Sequence, residues 1–332
     1  MSVAFFLPGE PDLEALKGLR PDRCPAEFQR GERVWILQTY LHLKAAGRPV
    51  ELRAEPPDGG IVVFHAKHDK ALGLRRLWMR RSILVGVRAD NREPLIADAE
   101  VLQNRWFADE RVRYHIPHWP QPGLIPRDPS RGERIRRAAF KGHSVNVHPA
   151  LEDPSWEAFL AGRGMVWEYD AGECDRRSRD RRALCWHDYS AVDLIVALLP
   201  DSPVFHRSKP ASKLVNAWAA GVPAILGPEV AFRDLRRSEL DYIECSTVEE
   251  ARAAVLKLLE EPGLYRAMVE NGRARAAEFT RDAVRRRWEE VLFERLPAVE
   301  RDGGFGFTRS LPLPLKSLIK RVARWITRRP AI

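Results

Sequence analysis

Cysteine is scarce in this sequence, with four residues among 332, and no two of them are spaced as Cys-x-x-Cys. Zinc ribbons and disulfide-stapled domains depend on such closely spaced pairs, so the sequence disfavours both classes of protein. We therefore expect reduced thiols in a cytoplasmic protein. The four residues are Cys24, Cys174, Cys185 and Cys245.

Long hydrophobic runs are also lacking. The apolar stretch at residues 3–7 is too short for a signal peptide and has no basic flank. No later run approaches the length of a membrane-spanning helix. These absences predict a soluble protein or one that binds a membrane peripherally.

Acidic residues are outnumbered by basic ones, 46 against 55, which gives a net charge of +9. This excess predicts an acidic partner such as a nucleoside diphosphate, an anionic lipid or a nucleic acid. No helix-turn-helix, zinc-finger or RNA-binding aromatic signature accompanies the charge, so nucleic-acid binding is disfavoured. No Asp-x-Asp pair stands near a predicted strand end, so we expect no metal site.

What the sequence does contain is an alternation of short apolar strands and helical patterns, which is typical of α/β proteins with parallel sheets. The length suits two domains. We predict a first domain at 1–125, a second at 126–300, and a linker with a basic tail at 301–332. The predicted strands are 3–7, 50–53, 61–65, 83–87, 134–140, 165–169, 194–199, 222–226 and 242–245.

The most informative stretch is 209–228. Its pattern predicts a helix that begins near Ser212, a left-handed stop at Gly221 and then the strand at 222–226. The start of a helix attracts anions because its free N–H groups and its dipole are positive. Two lysines add charge there, so the stretch predicts a phosphate-binding site.

The same stretch resembles the donor-site segment of GT-B glycosyltransferases, family four in particular, where a small-residue helix ending Ala-Ala-Gly leads into a Pro-Val-Ile-like strand. Residues 219–225 read Ala-Ala-Gly-Val-Pro-Ala-Ile. Members usually carry two glutamates eight positions apart, and those places hold Ser208 and Asn216 here. The resemblance implies an α/β protein of two Rossmann-like domains with a cleft between them, and transfer of a sugar from a nucleotide-sugar donor.

In the second domain, the resemblance assigns residues to the donor. Lys141 precedes a glycine at the end of a predicted strand, where the resembling enzymes bring basic side chains to the diphosphate. The alternatives are a solvated lysine and, for the helix motif, a Rossmann-like repeat that binds nothing. The candidate donor-binding residues are Lys141, Arg207, Lys209, Ser212, Lys213, Leu214, Asn216 and Gly227.

In the first domain, polar side chains follow predicted strands at the edge where open α/β sheets bind ligands. His65 and His68 could donate hydrogen bonds or relay a proton, or one could cap the loop while the other is solvated. Arg88 and Asp90 could equally form a structural turn. We assign His65, Arg88 and Asp90 to catalysis and Gly9, His68 and Arg92 to the acceptor side.

The tail at 315–329 has the pattern of an amphipathic helix. One face carries six Lys or Arg and no acid. The opposite face carries Leu315, Leu318, Ile319, Val322, Trp325 and Ile326. Such a helix can lie in an anionic membrane surface, and the alternative is a helix docked on the domain with its basic face in water. Because 303–314 reads as a linker, we favour membrane contact.

Together these patterns predict a metal-independent glycosyltransferase with no cofactor besides its nucleotide-sugar substrate. The resemblance implies retention of anomeric configuration and a glycan or lipid-linked acceptor, in bacterial surface polysaccharide or glycolipid synthesis at the inner membrane face. If the enzyme inverts, His65, Asp69 or Asp90 could act as the base. The alternative functions are a non-catalytic nucleotide-binding protein, a membrane-associated scaffold of the same fold, and a hydrolytic or epimerase-type relative that would need a carboxylate or His at the sugar.

Overall fold

The computed structural model describes residues 1–172, 185–200 and 207–326. The chain divides into two compact units: unit 1 is Met1–Trp119 with Arg281–Ile332, and unit 2 is Pro120–Thr280. Residues 281–300, which the prediction gives to the second domain, therefore belong to unit 1. Three cysteines are free thiols, and Cys174 lies outside the described residues.

Unit 1 contains a six-stranded sheet in the order β2-β1-β3-β4-β5-β6, with every neighbouring pair parallel. Its central strands are uninterrupted apolar runs, since both faces of a parallel sheet are covered. Strands β1 to β4 confirm the strands predicted from apolar runs, β5 lies within 97–104, where the resemblance to GT-B enzymes implies a short strand, and β6 extends the sheet. The strands are β1 Val3–Phe6, β2 Val50–Arg53, β3 Gly60–His65, β4 Ser82–Val87, β5 Ala99–Leu102 and β6 Arg113–His115.

Unit 2 contains a five-stranded parallel sheet in the order β11-β10-β9-β7-β8. All five strands overlap predicted ones, and the parallel pairing confirms the α/β class. The strands are β7 Arg137–His143, β8 Val166–Gly172, β9 Leu194–Ala197, β10 Ala224–Leu226 and β11 Ile243–Glu244.

The helices follow the strands along the chain, as expected for α/β units. Those of unit 1 are α1 Leu13–Lys17, a π-helical turn Arg33–Leu37 that continues as α2 Gln38–Ala45, α3 Asp69–Arg75, α9 Arg281–Glu289, a second π-helical turn Glu290–Arg295, α10 Leu296–Arg301 and α11 Leu313–Ile326. Those of unit 2 are α4 Pro154–Ala161, α5 Ser212–Ala220, α6 Val230–Leu235, α7 Val248–Glu260 and α8 Pro262–Ala276.

The late helices of the chain complete the core of unit 1. Val284, Trp288 and Leu292 are buried there beside Phe5 and Tyr40 of the early elements. The Trp288 and Phe5 rings meet edge to face at 6.5 Å. Burial of several large apolar side chains contributes kilocalories to folding, so the carboxyl-terminal segment is an integral part of this unit.

Residues 315–326 of the predicted amphipathic tail are helical in α11, and 327–329 lie outside the described residues. The helix is docked on unit 1, but not with its basic face in water as the docked alternative expects. The helix packs on unit 1 through Leu313 and Lys316, and its apolar face remains exposed. A buried ion pair between Lys316 and Asp98 holds it in this orientation. Among the helices that the structure describes, none combines the length and apolar character needed to cross a bilayer.

Candidate functional site

Both sheets share one topological feature, which locates a candidate site in each unit. The first strand of each unit lies between the second and the third, so β1 separates β2 from β3, and β7 separates β8 from β9. Open α/β sheets bind ligands outside the carboxyl ends of the strands at such a switch point. In unit 1 the segments there include Gly9 and residues 66–68, which follow His65 at the end of β3, and in unit 2 the segment after β7 begins at Ser144.

Helix α5 begins close to the switch point of unit 2. Its first residue is Ser212, and the preceding Ala211 provides no side-chain cap within the described chain. The N–H groups of the first turn are therefore available to an anion or to water. The helix ends at Gly221, which has φ 69° and ψ 40° in the left-handed region. Both ends confirm the predicted helix.

Lys213, the second residue of α5, reaches the carboxyl end of β7. Its Nζ lies 5.2 Å from the centre of the Phe140 ring, and a Cβ placed on Gly142 would lie 3.2 Å from the same atom. Burial lowers the pKa of Lys213 to about 8, an effect that Glu229 opposes and Lys209 reinforces. The site thus holds a lysine at a helix start, and burial makes its ammonium form less stable. A bound phosphate group would favour that ammonium form.

Glu229 supplies the opposite charge at this site. It follows β10 and is 3% exposed. Within the part of the chain that the structure describes, its Oε2 has no hydrogen-bond partner. A Cβ on Gly227 would lie 2.5 Å from that oxygen, so the carboxyl group occupies the space that a side chain at 227 would need. Burial raises the pKa of Glu229 to about 7, against the pull of Lys213.

A buried oxygen without a partner calls for a physical explanation, because most buried polar atoms are hydrogen-bonded. A ligand hydroxyl donating to Glu229 would supply the missing bond. Lys213 and Glu229 together therefore offer an anion site and a hydroxyl site beside the same helix start. This pairing suits a molecule that carries both phosphates and hydroxyls.

Lys141 lies at the same sheet but already has partners within unit 2. Its Nζ donates to Glu168 at 2.8 Å, to the Cys185 carbonyl at 3.2 Å and to Asp170 at 3.4 Å. Strand β8 supplies both carboxylates because it pairs with β7 in parallel register. The charge of Lys141 is therefore balanced locally, and its predicted donor role would require these bonds to be exchanged.

The remaining donor candidates occupy different environments. Arg207 and Lys209 lie just ahead of α5. Leu214 is fully buried in the core of unit 2. The Asn216 Oδ1 accepts a hydrogen bond from the Gln121 N–H at 3.0 Å, so this side chain anchors the backbone near the start of unit 2. The roles assigned to these residues stay predictions.

In unit 1, His65 ends β3 and is fully buried. Its Nδ1 accepts a hydrogen bond from the Lys67 N–H at 3.3 Å, which places the ring proton on Nε2. Burial lowers the pKa of His65 to about 4, so the ring is neutral at pH 7. In this tautomer His65 is a hydrogen-bond donor rather than a proton acceptor. Its predicted catalytic role remains a prediction.

Other polar atoms surround His65. Glu32 Oε1 pairs with Lys67 Nζ at 3.2 Å. Among the described residues, Glu32 Oε2 and the Nε2 atoms of His65 and His68 are buried without hydrogen-bond partners. Burial also lowers the pKa of His68. The carboxyl end of β3 thus collects neutral imidazoles around one acidic side chain.

The next strand, β4, brings Arg88, Asp90 and Arg92 to the same edge of the sheet. Between the first two, Ala89 has a φ of 48°, which is unfavourable for a residue with a Cβ. The Gln103 amide donates to the Ala89 carbonyl and helps to hold this turn. Strained backbone of this kind is found preferentially at functional sites, so the turn is compatible with the predicted role.

Two further residues of unit 1 were singled out from the sequence. Gly9 has a φ of 82° after β1, a conformation that favours glycine. Asp69 accepts backbone hydrogen bonds from Leu95 at 3.1 Å and Ile96 at 3.2 Å. Both oxygens of Asp69 are therefore engaged, which favours a structural role over that of a base.

Comparison with known proteins identifies the fold. No protein-family model and no curated protein sequence matches the chain. Among solved structures, HepE of Anabaena in complex with UDP-glucose has 13% identity and a TM-score of 0.56, covering 88% of this chain and 99% of its own. Sucrose-phosphate synthase from Thermosynechococcus elongatus has 13% identity and a TM-score of 0.56, covering 90% and 99%. A glycosyltransferase from Rickettsia africae ESF-5 has 10% identity and a TM-score of 0.53, covering 89% and 98%.

The chain has the GT-B fold. Sequence reasoning reached this fold from the stretch at 209–228, but it did not place Glu229 in the site. The available signal was its position two residues after Gly227, at the carboxyl end of a predicted strand. Burial of an acidic side chain there depends on tertiary packing, which periodicity does not reveal.

Metal-binding residue types do not converge in this GT-B chain: across the described ranges, no three His, Cys, Asp or Glu side chains lie close enough to hold an ion together. The acidic side chains nearest to the unit 2 site act individually. Glu229 is buried with Lys213 and Arg233 acting on its charge, and Glu168 and Asp170 pair with Lys141. The predicted independence from metal is left for experiment.

Proposed function

We propose that this protein is a glycosyltransferase that moves a sugar from a nucleotide-sugar donor to an acceptor hydroxyl. The observation that supports this most is the presence of Lys213 and the buried Glu229 near the start of α5, where each acts electrostatically on the other, in a chain of GT-B fold. HepE, which has a similar fold, was solved in complex with UDP-glucose. The donor site of the present chain would be the switch point of unit 2.

Lys213 and the free N–H groups of α5 would hold the diphosphate of the donor. When the bond between the anomeric carbon and the phosphate oxygen breaks, its electron pair leaves with the diphosphate, and the growing charge is stabilised by these donors. Glu229 would accept a hydrogen bond from a hydroxyl of the ribose or sugar. This arrangement supplies positive charge without a metal ion, and no cofactor besides the donor is required.

The acceptor hydroxyl would form the new bond to the anomeric carbon and release its proton. In a retaining reaction the leaving phosphate can take this proton, whereas an inverting enzyme needs a separate base. Asp90, exposed beside the strained Ala89, fits the role of a base better than His65 or Asp69 does. We propose retention, following the resemblance to family four, and the anomeric configuration of the product by NMR tests it.

The acceptor side is assigned to unit 1, with Gly9, His68 and Arg92 as contacts and Arg88 beside them in a catalytic role. We further propose a glycan or lipid-linked acceptor, of the kind used in bacterial surface polysaccharide or glycolipid synthesis. The exposed apolar face of α11 supports peripheral association with the inner face of an anionic membrane.

The decisive experiment is titration of the purified chain with nucleoside diphosphates and nucleotide sugars, followed by calorimetry and thermal unfolding. A ligand that binds the folded state raises its stability in proportion to RT ln(1 + [L]/Kd). Lys213→Ala should weaken binding about 10- to 100-fold, the loss expected for charge-assisted hydrogen bonds. Lys257→Ala, at an exposed position on α7 of the same unit, is the matched control.

Three outcomes separate the possible functions. Selective binding with transfer to an acceptor supports the proposed enzyme. Selective binding without transfer to any acceptor would indicate a non-catalytic nucleotide-binding protein. If no nucleotide binds the folded chain, or if Lys213→Ala and Lys257→Ala bind equally well, the donor-site assignment is wrong.

A further inference from the structure

Helix α11 carries its apolar side chains on the outside. Trp325 is 82% exposed and Leu318 is 55% exposed, and the other members of the apolar face are exposed as well. Leu313, Lys316 and Lys320, at spacings of three and four residues, form the opposite stripe, which faces unit 1. A helix on the surface of a globular domain normally buries its apolar face and exposes its charged face.

Specific polar contacts fix this orientation. Lys316 is buried and forms an ion pair with the equally buried Asp98. Lys320 Nζ donates to the Ala97 carbonyl at 2.6 Å, and the Leu313 N–H donates to the Leu77 carbonyl at 2.9 Å. Burial lowers the pKa of Lys316, and the carboxylate of Asp98 acts in the opposite direction. Rotating the apolar stripe inward would leave a buried carboxylate without its partner, which is strongly unfavourable.

A second exposed apolar segment adjoins the start of α11. Leu74, Leu77 and Trp78 are all exposed, and the Leu77 carbonyl is the group that binds the Leu313 N–H. The middle of α11 lies near the start of α3, since Lys320 and Arg321 both act electrostatically on Asp69. The two apolar segments are therefore neighbours on unit 1.

Both segments are basic. Residues 70–89 contain six Lys or Arg and no Asp or Glu, and no acidic residue follows Asp302. Arg75, Arg76, Arg80 and Arg81 are exposed between the apolar side chains. The Arg80 guanidinium lies 3.8 Å from the centre of the Trp78 ring.

We propose that residues 74–81 and the outer face of α11 form a single two-segment surface that binds an anionic lipid bilayer. The inference deepens the membrane association given under the proposed function and rests on it. An apolar surface bordered by arginines, with tryptophans at its edge, matches the boundary between lipid headgroups and acyl chains. Charge complementarity favours anionic lipid as the occupant over a second copy of this basic chain.

Two segments provide what a single short helix lacks. One shallow apolar insertion gives only reversible membrane binding, and a second insertion with adjacent basic side chains makes the attachment stable. Because the Lys316–Asp98 ion pair holds α11 on the unit that carries residues 74–81, both segments present their apolar side chains from the same unit. Binding would therefore fix the orientation of unit 1 at the membrane.

The test is cosedimentation of the full chain with vesicles of phosphatidylcholine alone or mixed with phosphatidylglycerol. We expect binding to the anionic vesicles that weakens in about 0.5 M salt. Leu77→Ser/Trp78→Ser should reduce partitioning about tenfold or more, and Trp325→Ser should do the same. Val145→Ser/Val166→Ser removes two exposed apolar side chains from unit 2 and should leave partitioning unchanged.

Each contrary result has its own meaning. If the wild-type chain does not bind anionic vesicles, both the membrane association and the two-segment surface are wrong. This conclusion holds whether or not the chain binds a nucleotide. If Trp325→Ser weakens binding but Leu77→Ser/Trp78→Ser does not, membrane association stands and the two-segment surface is wrong. If the wild type is a dimer in solution and Leu77→Ser/Trp78→Ser is a monomer with unchanged vesicle binding, the occupant is a second copy of the chain.

Discussion

The two units of this chain share the order of their first five strands but place different chemistry at the switch point. In unit 1 the carboxyl end of β3 carries His65 and His68, whose pKa values are lowered by burial. In unit 2 the site holds a buried carboxyl, Glu229, and a cation, Lys213. One fold can therefore place neutral donors in one unit and charged groups in the other, because function depends on the grafted side chains rather than on the sheet.

The difference is also one of pH response. A buried histidine with a lowered pKa makes the folded state less stable as the pH falls. A buried carboxyl with a raised pKa makes the folded state less stable as the pH rises. Acid should therefore act on unit 1 through its buried histidines, and rising pH should act on unit 2 through Glu229. Burial also raises the pKa of Glu100 in unit 1 to about 7, so the contrast is between these histidines and Glu229 rather than between whole units. The predictions below test this contrast, beginning with the largest expected effect.

The largest effect should be acid destabilisation of unit 1. Burial lowers the pKa values of His42, His65 and His115 to about 4. Below about pH 6.5 these histidines take up protons in the unfolded chain but not in the folded chain. The free energy of unfolding therefore has its full value above about pH 6.5 and falls as the pH drops toward about 4. At about pH 5 each histidine should cost on the order of 2 kcal/mol. Hydrogen exchange at about pH 7 and 5, corrected for intrinsic rates, should show opening of unit 1 before unit 2.

The contribution of His65 can be separated with one variant. His65→Gln can still accept from the Lys67 N–H but does not titrate, so its stability should fall less steeply between about pH 6.5 and 4 than that of the wild type. His187→Gln in unit 2 is the matched control. Equal slopes for wild type and His65→Gln would contradict the assignment of acid sensitivity to this ring.

The second effect is the reverse behaviour of Glu229. Its pKa is raised to about 7, so the folded state holds a proton that the unfolded state releases above about pH 4.5. Stability should thus fall as the pH rises from 4.5 through 7. Glu229→Gln mimics the protonated form and should be more stable than the wild type above pH 7, by at most about 3 kcal/mol. Urea unfolding across this range measures the difference.

Glu260→Gln, an exposed position on α7, is the matched control for Glu229→Gln. The control should show no advantage that grows with pH. The same Glu229→Gln protein should bind nucleotide sugar more weakly, since an amide replaces the carboxylate that would accept from a ligand hydroxyl. A stability gain without loss of affinity would place Glu229 outside the donor site.

Much of this arrangement follows from sequence pattern. The central strands of both sheets, such as β1, β9 and β10, are apolar runs. The bounds of α5 follow from Ser212 and from the left-handed residue needed at Gly221. These features are local, so a single stretch of chain contains the information. The GT-B fold followed from one such stretch, at 209–228.

What the sequence did not reveal depends on partners distant in the chain. Glu168 and Asp170 balance the charge of Lys141 only because β7 pairs with β8 in one register. Likewise, α11 presents its apolar face outward because Asp98, 218 residues away, binds Lys316. Amphipathic periodicity identifies both faces of a helix but does not state which one is covered.

The third prediction distinguishes the two lysines of unit 2. Lys141→Met leaves the carboxylates of Glu168 and Asp170 without their shared cation, so the free energy of unfolding should fall by about 1–3 kcal/mol. Nucleotide affinity should change less than in Lys213→Ala, because Lys141 is already paired. Calorimetric titration and urea unfolding of both variants measure the two quantities. An affinity loss in Lys141→Met as large as that in Lys213→Ala would restore Lys141 as a donor-binding residue.

The smallest expected effect is an uptake of protons on nucleotide binding, and it depends on Lys213 specifically. With a pKa of about 8, roughly half of the Lys213 side chains are neutral at pH 8 in the free protein. A bound diphosphate favours the ammonium form, so binding at about pH 8 should take up on the order of half a proton, and affinity should fall as the pH rises further. Calorimetry in buffers of different ionisation enthalpy measures this uptake. Lys213→Arg keeps the charge at all these pH values and should bind nucleotide without the uptake, whereas uptake that persists in Lys213→Arg would come from another group.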